Sequence, residues 1–215
     1  MITIRAYNKL DRDAIRQICC DVADRGGAIE NFFPDRDFAA DILTGYYTDY
    51  EPENSFVAES DGKVVAYVNG CLDNRRFGLV LLFIITPQLI LKGLIRGVFF
   101  HPEFWQIFRA MLQNWRRIFI WRKKSFHSHQ GHMHIGVSKA FRRQQIGKQL
   151  VNAFLNYARE QKIDQMTASV HDGNLAACRF FDSLGFIAQE HYPMIVAYGN
   201  SFKEYYSIFY VKNLD

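Results

Sequence analysis

Residues 2–7, Ile2-Thr3-Ile4-Arg5-Ala6-Tyr7, alternate apolar and polar side chains and predict a β-strand. Beyond Asp11, the apolar residues Ala14, Ile15, Ile18 and Val22 recur at helical spacing, which predicts a helix to about residue 24 with Asp11 as its cap. Arg25-Gly26-Gly27 breaks it. Phe38, Ile42 and Leu43 mark a second helix over about residues 35–47. Residues 55–59 and 63–71 read as two strands joined at Ser60-Asp61-Gly62, a hairpin signal.

Residues 73–128 interrupt this rhythm. An apolar run at 79–85 is followed by Pro87, a helix expected over 88–99, and a second helix after Pro102 that ends in Arg116-Arg117-Ile118-Phe119-Ile120-Trp121-Arg122-Lys123-Lys124. The alternating pattern then resumes, with a strand at 132–137 and a helix at 142–161 striped by Ile146, Leu150, Ala153, Phe154 and Tyr157. A strand follows at 165–171, a helix at 174–184 stopped by Gly185, and strands at 186–192 and 203–211. This order predicts an α/β (α+β) domain over 1–215: a mostly antiparallel mixed sheet flanked by helices, with a helical insertion between the third and fourth strands.

Charge changes the picture of the insertion. The net charge of the whole chain is +4, but residues 73–128 hold ten Lys/Arg against Asp73 and Glu103, so the insertion carries +8 and the remainder −4. The run at 79–85 is too short, and too soon followed by Pro87 and Lys92, to predict a membrane-spanning helix. We read the insertion as a lid over a substrate cavity or a homodimer contact. Peripheral membrane contact is the less favoured reading, and no recognised motif supports nucleic-acid binding by the basic cluster. Cys19, Cys20, Cys71 and Cys178 show neither CxxC nor paired-His spacing, which argues for reduced thiols, no metal and a cytoplasmic location. His127, His129, His132 and His134 lack acidic or Cys partners at ligand spacing.

Candidate chemistry lies at 137–148, where a strand feeds a loop that opens a helix. A helix N-terminus offers unpaired N–H groups and positive potential, which suits a pyrophosphate. Arg142, Arg143 and Lys148 add charge, and Gly147 permits close approach. By itself the segment is equally an ordinary basic helix start. One strand later comes Asn174-Leu175-Ala176-Ala177-Cys178-Arg179-Phe180-Phe181-Asp182-Ser183-Leu184-Gly185-Phe186.

Together the two segments resemble the GNAT acyltransferase signature, an R-x-x-G-x-G/A loop followed by an N-x-x-A-x-x-x-Y-x-x-x-G-F helix. Arg25-Gly26-Gly27-Ala28, Tyr46-Tyr47, residues 51–59 and His132-Met133-His134-Ile135 further resemble the acetyltransferase-like domains related to the C-terminal part of O-GlcNAcase. The resemblance implies acetyl-CoA, or a related acyl-CoA, as co-substrate and a small-molecule or peptide amine as acceptor. It implies cofactor contacts from Ile135, Gly136, Val137, Arg142, Arg143, Gln144, Gln145, Ile146, Gly147, Lys148, Asn174 and Phe181. The chain departs from the signature twice. Gln145 replaces the loop's first glycine, and Phe181 replaces a tyrosine that in many members protonates the leaving thiolate. Tyr192 and Tyr205 are the alternative acids. His134 or His132 would serve as general base, with His171 and Asp172 as further candidates. The competing reading is a catalytically silent CoA-binding or interaction module.

Overall fold

The computed structural model describes residues 1–24, 27–31, 33, 35–125, 130–198 and 201–214, and describes the backbone alone at 31, 116–125, 198 and 201. Seven strands form one sheet: β1 (Ile2–Ala6), β2 (Ser55–Ser60), β3 (Lys63–Cys71), β4 (Gln130–Val137), β5 (Gln165–His171), β6 (Ile187–Tyr198) and β7 (Ser201–Asn213). Their order is β1-β2-β3-β4-β5-β7-β6, with β4 and β5 parallel and every other pair antiparallel. Helices α1 (Arg12–Val22) and α2 (Arg36–Asp49) cover one face, and α6 (Ile146–Glu160) and α7 (Leu175–Ser183) cover the other. The expected fold class is the observed one.

Local chemistry explains the elements and corrects some bounds. The first helix is not capped by Asp11. Asn8 caps the short turn before it, and the Asp11 carboxylate instead accepts from the Asn8 N–H at 2.8 Å and pairs with Arg5 at 2.7 Å. Asp35 caps α2 by accepting from the Phe38 N–H at 2.8 Å. Ile15, Ile18 and Cys19 of α1 pack on Val57 and Tyr67, while Leu150, Val151, Phe154 and Leu155 of α6 fill the opposite core. The last two strands run longer than expected because each pairs with the other over nearly its full length. All four cysteines are free thiols, and three are buried.

The insertion differs most from expectation. The apolar run at 79–85 is part of a continuous helix over Asn74–Ile95, built as α3 (Asn74–Val80), a π-helical turn (Leu81–Ile85) and α4 (Thr86–Ile95). Pro87 does not end it. The wider π turn, closed by the Thr86 N–H and hydroxyl on the Leu81 carbonyl, accommodates a residue that cannot donate to the preceding turn. By length and composition this 22-residue helix could cross a membrane, its most apolar 18-residue window having a mean hydropathy of 2.1. A longer helix, α5 (Pro102–Ser125), follows.

Two sets of contacts fasten the insertion. Phe77, Leu81, Ile85 and Leu89 pack on Tyr46, Tyr47 and Tyr50 of α2 and its C-terminus. Beside them Lys92 meets Asp41 at 2.8 Å and Arg96 meets Asp35 at 2.7 Å. On α5 the buried Asn114 amide clamps strand β6, donating to the Ile195 carbonyl at 2.7 Å and accepting from the Ile195 N–H at 2.8 Å. Strand β6 is a sheet edge, so this clamp satisfies backbone groups that no strand reaches. Replacing Asn114 with Ala should therefore cost about 1–3 kcal/mol. Urea denaturation would show it, and an unchanged midpoint would mean that water replaces the clamp without loss.

Candidate active site

The site begins where β4 and β5 part. Their parallel pairing extends only from Gln130↔Gln165 through His132↔Thr167. The junction is tied by Gln130 Nε2 donating to Gln165 Oε1 at 2.8 Å and by Thr167 Oγ1 donating to the Gly131 carbonyl at 3.0 Å. A β-carbon on Gly131 would lie 2.6 Å from Met166 Sδ and 2.7 Å from the Cys71 carbonyl, so only glycine allows this closeness. Beyond the junction β4 keeps pairing with β3 as far as Val137, and β5 keeps pairing with β7 as far as His171. Each strand is held by its outer neighbour while the two separate from each other, and the backbone of residues 135–137 borders the gap.

A cavity of about 660 Å³ opens at that gap. Ile135, Gly136 and Val137 line it from β4, residues 142, 143 and 145–148 from the loop and first turn of α6, and Asn174 and Phe180 from the α7 side. The first backbone bond of α6 runs from the Gln149 N–H to the Gln145 carbonyl. The N–H groups of Ile146, Gly147 and Lys148 thus belong to the unpaired helix start. Gln145 adopts the left-handed backbone conformation at φ 59°, as does Arg143 at φ 62°. A glycine takes this conformation freely and glutamine at a cost of about 1 kcal/mol, so the loop keeps the glycine geometry without the glycine.

Ten of the twelve expected cofactor residues line this cavity, and two do not. Gln144 turns back to donate to the Ala140 carbonyl at 3.2 Å. Phe181 is 4 % exposed, stacks on Tyr210 and meets Phe186 edge-on in the core. One position earlier, Phe180 takes the cavity wall, because Ala176, Phe180 and Ser183 (i, i+4, i+7) share the stripe of α7 that lines it and Phe181 is turned about 100° away. Val22, Phe141, Ala176, Ala177 and Ser183 complete the lining, none of them expected as a cofactor contact. Asn174 also has a structural task, capping α7 by accepting from the Ala177 N–H at 3.2 Å.

The two histidines of β4 sit in different surroundings. Both face α1 and α2, opposite Cys71 and Asn69 of β3. The His132 ring is fastened at each nitrogen. Asn74 Nδ2 donates to the Gln130 carbonyl at 2.5 Å, which turns Asn74 Oδ1 toward His132 Nδ1 at 2.6 Å and makes that nitrogen the N–H donor. Nε2 then accepts from the Tyr47 hydroxyl at 2.9 Å. His134 has one described partner, the Tyr67 hydroxyl at 3.1 Å from Nδ1. Desolvation by its dense surroundings pulls its pKa down to about 4, although the ring keeps some exposure. The hydroxyl of Tyr67 also contacts Cys19, whose thiol burial pushes up to about 12. The Tyr67 ring lies across Gly136, where a β-carbon would come within 2.5 Å of it. Tyr67, Asn74 and Tyr47 thus orient the histidines, through cross-strand and interhelical contacts that periodicity does not reveal.

The remaining candidates lie elsewhere. His171 stacks on Tyr205 at 4.0 Å and accepts from the Gly173 N–H at 2.8 Å, beside Asp172. Tyr192 donates to Ser169 Oγ at 3.1 Å. Neither Tyr192 nor Tyr205 lines the cavity. His127 and His129 lie outside the described residues, and among the described residues no three His, Cys, Asp or Glu side chains converge as a metal site would require. Among the described residues, the insertion lines no part of this cavity. It leaves β3 and returns at the start of β4, the end of the sheet away from the loop, so it reaches His132 but not the phosphate side.

Comparison with known proteins agrees with this geometry. Residues 110–186 match the family model described as acetyltransferase (GNAT) family. No curated protein sequence matches the chain. Among solved structures, SsHAT superposes with a TM-score of 0.73 at 22 % identity, covering 100 % of this chain and 98 % of that one. An N-acetyltransferase from Staphylococcus aureus Mu50 gives 0.63 at 14 % identity, covering 100 % and 99 %. The protein yncA from Salmonella typhimurium, solved with its cofactor acetyl-CoA, gives 0.60 at 17 % identity, covering 100 % and 95 %. The chain has the GNAT fold, and residues 110–186 carry the match to the acetyltransferase (GNAT) family model.

Two measurements test the site. Gly147→Asp would place a carboxylate at the start of α6, where a β-carbon already meets Phe180 at 3.2 Å. Calorimetry should show CoA binding lost, and unchanged affinity would remove the loop as an anion site. His134 titrates at about 4 in the fold against 6.5 when unperturbed. Between those values the unfolded chain binds the extra proton, so stability is full above about pH 6.5 and falls as pH drops toward about 4. His134→Gln should flatten that fall in denaturation midpoints, and an unaltered slope would mean that the ring is not desolvated.

Proposed function

We propose that this protein transfers an acetyl or other short acyl group from acyl-CoA to a primary amine by direct attack on the thioester. The observation that carries this reading is the coincidence, at the parted strands, of a 660 Å³ cavity and a basic helix start, with a neutral histidine on β4 itself, next to the lining residue Ile135 but not in the lining. In this reading the N–H groups of residues 146–148, with Arg142, Arg143 and Lys148, hold the pyrophosphate. The pantetheine arm lies in the gap against the backbone of residues 135–137, and a main-chain N–H near Val137 polarises the thioester carbonyl. The amine nitrogen bonds to the thioester carbon, the C–S bond breaks, and the amine proton passes to a base.

His134 suits the role of base better than His132, whose two nitrogens are both engaged. If His134 Nδ1–H donates to Tyr67 and Tyr67 donates on to Cys19, the lone pair remains on Nε2. Tyr67 is then a positioning residue. With a pKa of about 4, His134 is unprotonated throughout the neutral range, so the ionisation of the amine itself sets the pH dependence there. Phe181 supplies no proton, and no tyrosine lines the cavity among the described residues, so CoA leaves as the thiolate. The same two facts are what favour a silent CoA-binding module instead.

The finer likeness to the domains related to the C-terminal part of O-GlcNAcase gains support from Tyr47 and His132. They come from two of its segments and meet at 2.9 Å. Four free cysteines and the use of acyl-CoA suit a cytoplasmic setting.

A panel of amines with acetyl-CoA and a thiol reagent for released CoA tests the reading. Turnover is expected with at least one amine, and His134→Gln should lower kcat by about 10²–10⁴-fold while His132→Gln lowers thermal stability more than rate. The acid limb of the wild-type profile should fall near pH 4 rather than near 6.5. CoA binding with no turnover across the panel would establish the silent module.

A further inference from the structure

The insertion helix has two unlike sides. Toward the domain it packs Phe77, Leu81, Ile85 and Leu89, and its polar side chains also reach that way. Arg76 donates to the Tyr50 carbonyl, Gln88 accepts from the Tyr50 hydroxyl, and Lys92 and Arg96 meet the acids of α2. Away from the domain, Leu79, Phe83, Ile90 and Leu94 form a stripe in which Phe83 is 68 % exposed. No charged residue occurs from Phe77 to Leu91, while Arg75, Arg76, Lys92 and Arg96 flank that stretch. Helix α5 adds uncovered Trp105 and Trp115, the latter 69 % exposed, before its basic end at residues 116–124. A contiguous apolar surface of this kind marks a partner.

We infer that the insertion seats the protein on an anionic lipid bilayer, with the outer side of the Asn74–Ile95 helix lying in the interface. Three observations select this occupant. The helix is fastened lengthwise to α2, so spanning the membrane would drag Asp35, Asp37 and Asp41 into lipid or leave them without Arg96 and Lys92. Lying flat, it buries only the side that carries no charge. Second, the insertion bears +8 against −4 for the rest of the chain, which matches an anionic headgroup layer. Third, the same charge opposes a second copy, because a two-fold contact through this side would bring two segments of +8 together. The exposed tryptophans suit the headgroup boundary. The outward apolar side favours this seat over a lid.

Vesicle flotation tests the proposal. All three tryptophans of the chain, Trp105, Trp115 and Trp121, lie on α5, so intrinsic fluorescence reports the insertion alone. The full chain is mixed with vesicles of phosphatidylcholine, or of phosphatidylcholine with about one third phosphatidylglycerol, at about 0.05 and about 0.5 M salt. The expected result is flotation and a blue-shifted emission with the anionic vesicles, with partition weakened by about tenfold at the higher salt because headgroup attraction is screened. Phe83→Glu with Leu94→Glu should abolish flotation while CoA affinity and melting temperature stay as in the wild type. Ile90→Ser with Leu91→Ser gives the same test with no added charge. Absence of flotation with either vesicle would overturn the proposal. So would a dimer in sedimentation that these substitutions dissociate.

Discussion

Everything at this site depends on two parallel strands that pair briefly and then part. Strands β4 and β5 are locked at their base by the Gln130–Gln165 and Gly131–Thr167 bonds, and Gly131 permits the closeness that the lock requires. Above the base, each strand is bonded along its outer edge only. The separation leaves a slot bordered by main chain in the middle of a sheet, where backbone polar groups are otherwise consumed by neighbouring strands. The loop after β4 then turns directly into α6, so the positive end of a helix stands at the mouth of the slot. A long ligand with an anionic end and an amide-bearing arm is the natural occupant of such a cleft.

The same strand organises the opposite face. His132 and His134 are two residues apart and therefore share a side, yet their environments diverge. The insertion supplies Asn74 and Phe77 to His132, while α1 and β3 supply Cys19 and Tyr67 around His134. One ring is fixed at both nitrogens, and the other is fixed at one and desolvated. Tyr67 can reach His134 only because Gly136 leaves room beneath its ring, so a glycine in the cavity wall also governs the orientation of the histidine. The insertion is in this sense part of the site's support without being part of its wall.

The insertion also divides the electrostatics of the molecule. Its pairs with α2 neutralise Lys92 and Arg96 against Asp41, Asp35 and Asp37, which anchors the helix and turns its polar edge inward. Asp35 contributes twice, as the cap of α2 and as the partner of Arg96. What remains outward on the Asn74–Ile95 helix is mainly apolar. Among the described residues the insertion lines no part of the cavity.

Element order, fold class and most of the cofactor cleft were legible in the sequence. Alternation and helical stripes report which side of each element is apolar, and the Arg142–Lys148 and Asn174–Phe186 segments are local patterns in which spacing alone carries geometry. Gln145 shows the limit of such patterns: the residue type argued against the turn, but the backbone adopts the left-handed conformation all the same. Contacts between distant elements decided the rest. Phe180 and Phe181 are indistinguishable as letters, and only the packing of α7 against Phe186 and Tyr210 sends one to the core and the other to the cavity. The roles of His132 and His134 were set by side chains 58 to 85 positions away in the chain. Pro87 suggested a break, and a π turn carried the helix through it. Hydrophobicity along the chain told that the insertion is apolar. It did not tell which side meets protein, because burial belongs to the assembled surface and not to any single residue.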